Sequence, residues 1–220
     1  MKTIKCILSK NQQQNLVLLG LLLFSFFLLS TRIVLTKTGY FLFLVWNVFL
    51  ASIPYAITMY LSEKKDLRKA GQVFAFIVWR LFLPNAPYII TDLYHLKRST
   101  PHLIWLDTLV IITFAMTGIA LFYCSLNKML KIIKKHYNIK QEKIIVMLLC
   151  FLSAFGIYIG RYLRYNSWEL LSNPKPLGID ILGILLQPKV NSKAWLFTIL
   201  FGLFLSLGHF IFKHLTLKKQ

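Results

Sequence analysis

Apolar residues fall along the chain in long unbroken blocks, with no helical or strand period inside them. A helix needs about 20 apolar residues to cross a bilayer core of about 30 Å. Five blocks approach that length and a sixth does so with interruptions. They predict an all-α integral membrane protein with about six spans, at residues 14–31, 39–61, 67–83, 101–127, 144–165 and 194–214. Together these form a single transmembrane domain over 1–220.

The residues between and within the blocks sharpen this layout. The first block follows Lys2, Lys5 and Lys10 as a signal peptide would, but no small-x-small cleavage site comes after its apolar run. Ser30-Thr31-Arg32 ends it, so it reads as a retained helix. Thr100 and Pro101 suit the N-cap and first helical position of the fourth span. In the third span, Leu83-Pro84-Asn85-Ala86-Pro87 predicts a break near the outer edge of the hydrocarbon. Each proline removes an amide donor and disfavours helix in the residue before it. The chain stays apolar through Tyr88-Ile89-Ile90. Irregular backbone at that depth survives only where protein buries it or a polar cavity wets it. The segment is therefore expected inside the bundle, restarting as a short helix from Pro87 to Leu96. Pro174, Pro176 and Pro188 bracket Leu177–Gln187, which is too short to span and is expected as an interfacial or re-entrant helix on the outer face.

Charge sets the orientation. The chain carries 26 lysines and arginines against 7 acids, a net +19. In a soluble domain this would suggest nucleic acid, but no nucleic-acid motif is present, and here the basic residues sit between apolar blocks. With the N-terminus inside, sixteen fall in inner segments and nine in outer ones, and Arg80 lies within a span. The positive-inside bias puts both termini in the cytoplasm. The expected partners are the lipid bilayer and the anionic lipids of its cytoplasmic face. Cys6, Cys124 and Cys150 lie in no outer segment and share no metal-ligand spacing, so neither a disulfide nor a zinc site is expected. No P-loop or other cofactor motif appears. Gly156-x-x-x-Gly160 is a helix-packing motif compatible with a helix-mediated oligomer.

Polar residues at membrane depth are costly, so their positions carry the functional signal. Asp92, Asp107, Glu169 and Asp180 all fall in the outer third or beyond it. Arg80 lies one turn below the expected break, and Arg161 and Arg164 end the fifth span on the same side. Tyr88, Asp92 and His95, at i, i+4 and i+7, share one helical face. A candidate substrate-binding set follows: Arg80, Asn85, Asp92, Asp107, Arg161, Arg164 and Asn166. Arginines suit a phosphate or other anion, and Asp92, Asp107 and His95 are the candidate acids or bases. The same residues also fit structural ion pairs, Arg80–Asp107 and Arg161–Asp92, with no ligand. Tyr158, Tyr162, Tyr165 and Trp168 suit an interfacial aromatic belt.

Two runs carry a resemblance: Leu83-Pro84-Asn85-Ala86-Pro87-Tyr88-Ile89-Ile90-Thr91-Asp92-Leu93, followed by Trp105 and Asp107, and Gly156 to Trp168 with its Arg161-x-x-Arg164-x-Asn166-Ser167-Trp168 ending. With them the chain resembles a bacterial membrane-protein family catalogued as domain of unknown function 1361. The resemblance implies a bacterial inner-membrane protein and no particular reaction. Three readings stay open: an outward-facing pocket for an anionic lipid or cell-envelope substrate, a small transporter or channel, and a non-catalytic assembly subunit.

Overall fold

The computed structural model describes residues 12–64, 68–136 and 141–217. Lys2, Lys5, Cys6, Lys10, Lys65, Lys140 and the expected start of the third span at Leu67 lie outside the described residues. Among the described residues all regular structure is helical. Six helices are long and apolar enough to cross a membrane: Gln12–Thr36, Tyr40–Glu63, Lys69–Arg98, Ile104–Lys135, Glu142–Leu163 and Ser192–His214. In finer detail they are α1 (Gln12–Thr36), α2 (Phe43–Glu63) after a short 3-10 turn, α3 (Lys69–Phe82), α4 (Asn85–Tyr88), α5 (Ile104–His136), α6 (Glu142–Tyr158) and α9 (Ser192–Leu217). The short helices α7 (Glu169–Ser172) and α8 (Pro174–Leu186) lie between the last two. The chain divides into two compact units, 1–132 and 133–220, and α5 carries it from one into the other.

The first unit is organised on α5, whose apolar window is 72% buried against 22–33% for the other five. Three helices reach it through polar contacts. From α1, Ser25 meets Thr117, their hydroxyls 3.4 Å apart. From α3, Trp79 Nε1 donates to Ser125 Oγ at 2.8 Å. From α2, Lys128 Nζ donates to the Tyr55 hydroxyl at 3.2 Å, and that hydroxyl donates to Asn15 Oδ1 at 2.7 Å. Buried hydroxyls and amines are tolerable there because each has found a partner.

The third span corrects an expectation. Its two prolines do not end the helix. Leu83 and Pro84 keep right-handed helical angles, and after α4 the chain continues as a ten-residue 3-10 stretch, Ile89–Arg98. The reason lies in the local hydrogen bonds. The Ala86 amide turns from the carbonyl of Phe82 to that of Leu83, at 3.3 Å. Asn85 Nδ2 donates to the vacated Phe82 carbonyl at 3.1 Å. An asparagine side chain thus replaces the amide bond that the tighter path gives up. Leu83, Ala86, Pro87 and Ile89 are buried, as expected for a segment packed inside the bundle. Gly118 of α5 makes the approach possible: a Cβ there would sit 2.2 Å from the Ala86 carbonyl oxygen.

Two ends also move. Helix α1 runs five residues past its expected end at Thr31, which places Arg32 inside the helix. Helix α5 opens at Ile104, three residues after Pro101, because Thr100 and Leu103 first close a turn through their backbones at 3.0 Å.

In the second unit α6 and α9 pack along their lengths. They come close at Gly202, where a Cβ would meet the Phe151 ring at 2.9 Å. Helix α6 continues into a π-turn, Ile159–Leu163, that ends on Arg164 in the left-handed region, φ 64°. The expected short helix is present as α8, thirteen residues with prolines in its first turn.

Candidate functional site

In the first unit one level of the bundle gathers polar side chains from four segments. Asp107 stands in the first turn of α5 and is 1% exposed. Arg32 of α1 reaches it, Nε to Oδ1, at 3.0 Å. Arg32 Nη1 also donates to the carbonyl of Thr38 at 3.2 Å and to its Oγ1 at 2.6 Å, while the guanidinium lies 4.7 Å from the centre of the Phe41 ring. The pair is buried on both sides, and Asp107 Oδ2 is left without a hydrogen-bond partner.

Beside it runs a second chain of contacts. Asp92, also 1% exposed, accepts a hydrogen bond from Asn47 Nδ2 at 2.7 Å. Its Oδ1 lies 3.9 Å from His95 Nε2, an ion pair once His95 carries a proton. The Tyr40 hydroxyl is 3.1 Å from His95 Nδ1. Tyr40 and Phe41 are neighbours with rings 5.0 Å apart, so the two groups form one layer. The 3-10 geometry of Ile89–Arg98 matters here. With three residues per turn, positions i and i+3 stack directly, which brings His95 over Asp92. A tyrosine hydroxyl, an imidazole and a buried carboxylate in sequence are the parts of an acid–base site. His95 is the member open to the surroundings, with 30% of its side chain exposed.

The predicted residues divide unevenly. Asp92, Asp107 and His95 do share this layer. Arg80 does not join it. Its neighbour Trp79 bonds to Ser125, which follows Asp107 by 18 residues, about 27 Å of helix at about 1.5 Å per residue. The cause is the uninterrupted third span. It ends at Arg98, not Leu83, so Arg80 sits far from that end. Asp107 pairs with Arg32 instead. Asn85 serves the backbone at the α3–α4 joint.

Arg161, Arg164 and Asn166 belong to the second unit. Arg161 lies in the π-turn and is half-buried, whereas Arg164 and Asn166 are exposed. Glu169 accepts hydrogen bonds from the Asn166 backbone amide and from its Nδ2. Tyr165 donates to Asp180 at 2.9 Å, which with the negative charge pushes its phenol above the ordinary tyrosine range. Among the described residues no group of three histidine, cysteine or carboxylate side chains converges as a metal site.

Sequence reasoning missed Arg32, Thr38 and Tyr40. Ser30-Thr31-Arg32 reads as a helix end; the apolar Ile33-Val34-Leu35 that follows is the signal of a longer helix.

The model of a family described as "Protein of unknown function (DUF1361)" matches residues 46–207. The matched stretch takes in Asn47, Asp92, His95 and Asp107 and begins after Arg32, Thr38 and Tyr40. No curated protein and no solved structure matches the chain.

Proposed function

The chain belongs to the DUF1361 family, and we propose that it is a six-span protein of the bacterial cytoplasmic membrane whose outward-facing polar layer binds the head of an anionic lipid or cell-envelope substrate. Membrane insertion is supported by the surfaces of the six long helices. Phe27, Phe74 and Leu207 are 64%, 69% and 62% exposed, and they are three of many large apolar side chains turned outward. Water tolerates no apolar surface of that extent, and lipid favours it. The excess of basic residues in inner segments supports cytoplasmic termini. In this setting α8, too short to span at thirteen residues, is an interfacial helix at the outer face.

The observation that carries the site is the Tyr40–His95–Asp92–Asn47 chain. Asn47 fixes one oxygen of Asp92, and the other faces the imidazole of His95. A protonated His95, with Lys97 and Arg98 closing the same stretch, suits a phosphate or carboxylate head. Arg32 cancels the charge of Asp107, so the layer does not repel an anion. Helix α5 offers less support for a transport path. Thr117 and Ser125 are engaged with Ser25 and Trp79, and buried Val110, Phe114 and Leu121 separate them from Asp107 and from each other.

Native mass spectrometry of the detergent-purified protein tests this reading. The expected result is a specific co-purified amphiphile on the wild type, lost in folded Asp92→Asn and His95→Phe variants. Identical adducts on all three proteins would remove the site.

A further inference from the structure

A second place in the molecule combines charge with space. In the second unit the start of α6 and the end of α9 flank an open cavity of about 210 Å³. Glu142 is the first residue of α6. It accepts hydrogen bonds from Lys134 and, at 2.6 Å, from Lys213 of α9. Two ammonium groups on one carboxylate leave an excess positive charge, and Lys143 on the cavity wall adds another. Val146 and Phe210 supply apolar wall, and His214 lies on the rim. A basic mouth above an apolar wall matches an amphiphile whose head is an anion.

The position of the cavity along the helices decides which amphiphile. Glu142 begins one apolar span and His214 ends another. The cavity therefore lies where hydrocarbon gives way to headgroups. The inner basic segments put that level at the cytoplasmic leaflet, where anionic lipids concentrate. We propose that this cavity binds the phosphate of an anionic phospholipid, with Lys143 and Lys213 facing the phosphate and an acyl chain lying on Val146 and Phe210. Glu142 is a positioning residue that holds Lys213 at the cavity. The inference shares only the membrane setting with the proposed function and does not depend on the layer around Asp92.

The test is a binding titration on the full chain in detergent, read by native mass spectrometry. The probes are a short-chain phosphatidylglycerol, the matching phosphatidylcholine and inorganic phosphate. Phosphatidylglycerol is expected to bind most tightly, and Lys143→Gln and Lys213→Gln each to weaken it about fivefold. Lys189→Gln, which removes the same charge outside the cavity, is expected to leave it unchanged. Lys143 makes no hydrogen bond or ion pair among the described residues, so its variant folds normally even if Lys213→Gln does not. Equal binding of phosphatidylcholine, or a folded Lys143→Gln that binds as the wild type does, would overturn the site. Inorganic phosphate binding as tightly as the lipid would overturn the assignment to a phospholipid.

Discussion

Arg32 and Asp107 stand 3.0 Å apart, Nε to Oδ1, and so tie the C-terminal part of α1 to the first turn of α5 across 75 positions of sequence. Taking one partner away leaves the other charge buried and alone, which costs about 3–5 kcal/mol. Arg32→Ala and Asp107→Ala are each expected to lower the midpoint of thermal unfolding in detergent by a comparable large amount. The double change Arg32→Met with Asp107→Leu, which leaves no orphaned charge, is expected to recover much of it. Single variants as stable as the wild type would show that the pair holds nothing together.

Gly118 is the place where α5 admits the α3–α4 joint. A methyl group there would lie 2.2 Å from a backbone oxygen, and backbone cannot swing aside as a side chain can. Gly118→Ala is expected to destabilise the fold by about 1–3 kcal/mol. Gly178→Ala in α8, where a Cβ meets nothing within 4 Å, is the matched control and is expected to be neutral or slightly stabilising. Comparison of the two unfolding midpoints decides the matter.

Asn85 completes the hydrogen bonding of Phe82 where the helix tightens. Asn85→Leu keeps the branched shape and removes the donor, and is expected to cost about 1–3 kcal/mol. Hydrogen exchange of amides 83–90 should accelerate in that variant while α6 and α9 keep their protection. Unchanged exchange would mean that the side chain is dispensable to the joint.

Tyr165 donates to Asp180 outside the long apolar helices, and its phenol titrates above the ordinary range. A raised folded-state value means that this contact stabilises the fold below the ordinary tyrosine pKa and is lost as pH rises through the raised one. With tyrosine ring carbons labelled, the Tyr165 resonance should titrate later than that of free tyrosine. In Asp180→Asn it should return toward the ordinary value, and a titration that ignores this substitution would rule out the contact in solution.

The six long helices were legible because hydrophobic blocks of span length have few other uses. Asp92, Asp107 and His95 were legible because charge at such depth is rare. The partners were not, for two physical reasons. One was an end: a polar trio at Ser30, Thr31 and Arg32 imitates a helix terminus, so the guanidinium that neutralises Asp107 was placed in a loop. The other was a joint: two prolines imply a stop only if nothing replaces the lost amides, and the rescue by Asn85 depends on a side-chain geometry that no spacing rule encodes. Moving the end of the third span from Leu83 to Arg98 then displaces Arg80 from the expected layer. The cavity beside Glu142 was hidden differently, since its walls come from residues far apart in sequence, with Lys213 meeting Glu142 across 71 residues.

The ten residues from Ile89 to Arg98 form a screw of coarser thread than the helix before them. At about 2.0 Å per residue they extend about 20 Å, against about 15 Å for the same residues wound as α-helix. Length and facing direction are therefore geared together. Winding this stretch back to α would draw its outer end in by about 5 Å. It would also turn His95 about sixty degrees away from Asp92, because three residues make a full circle in one thread and five-sixths of one in the other. The imidazole and the carboxylate stay in line only while the stretch is drawn out. Any change in the length of this stretch would therefore turn His95 relative to Asp92.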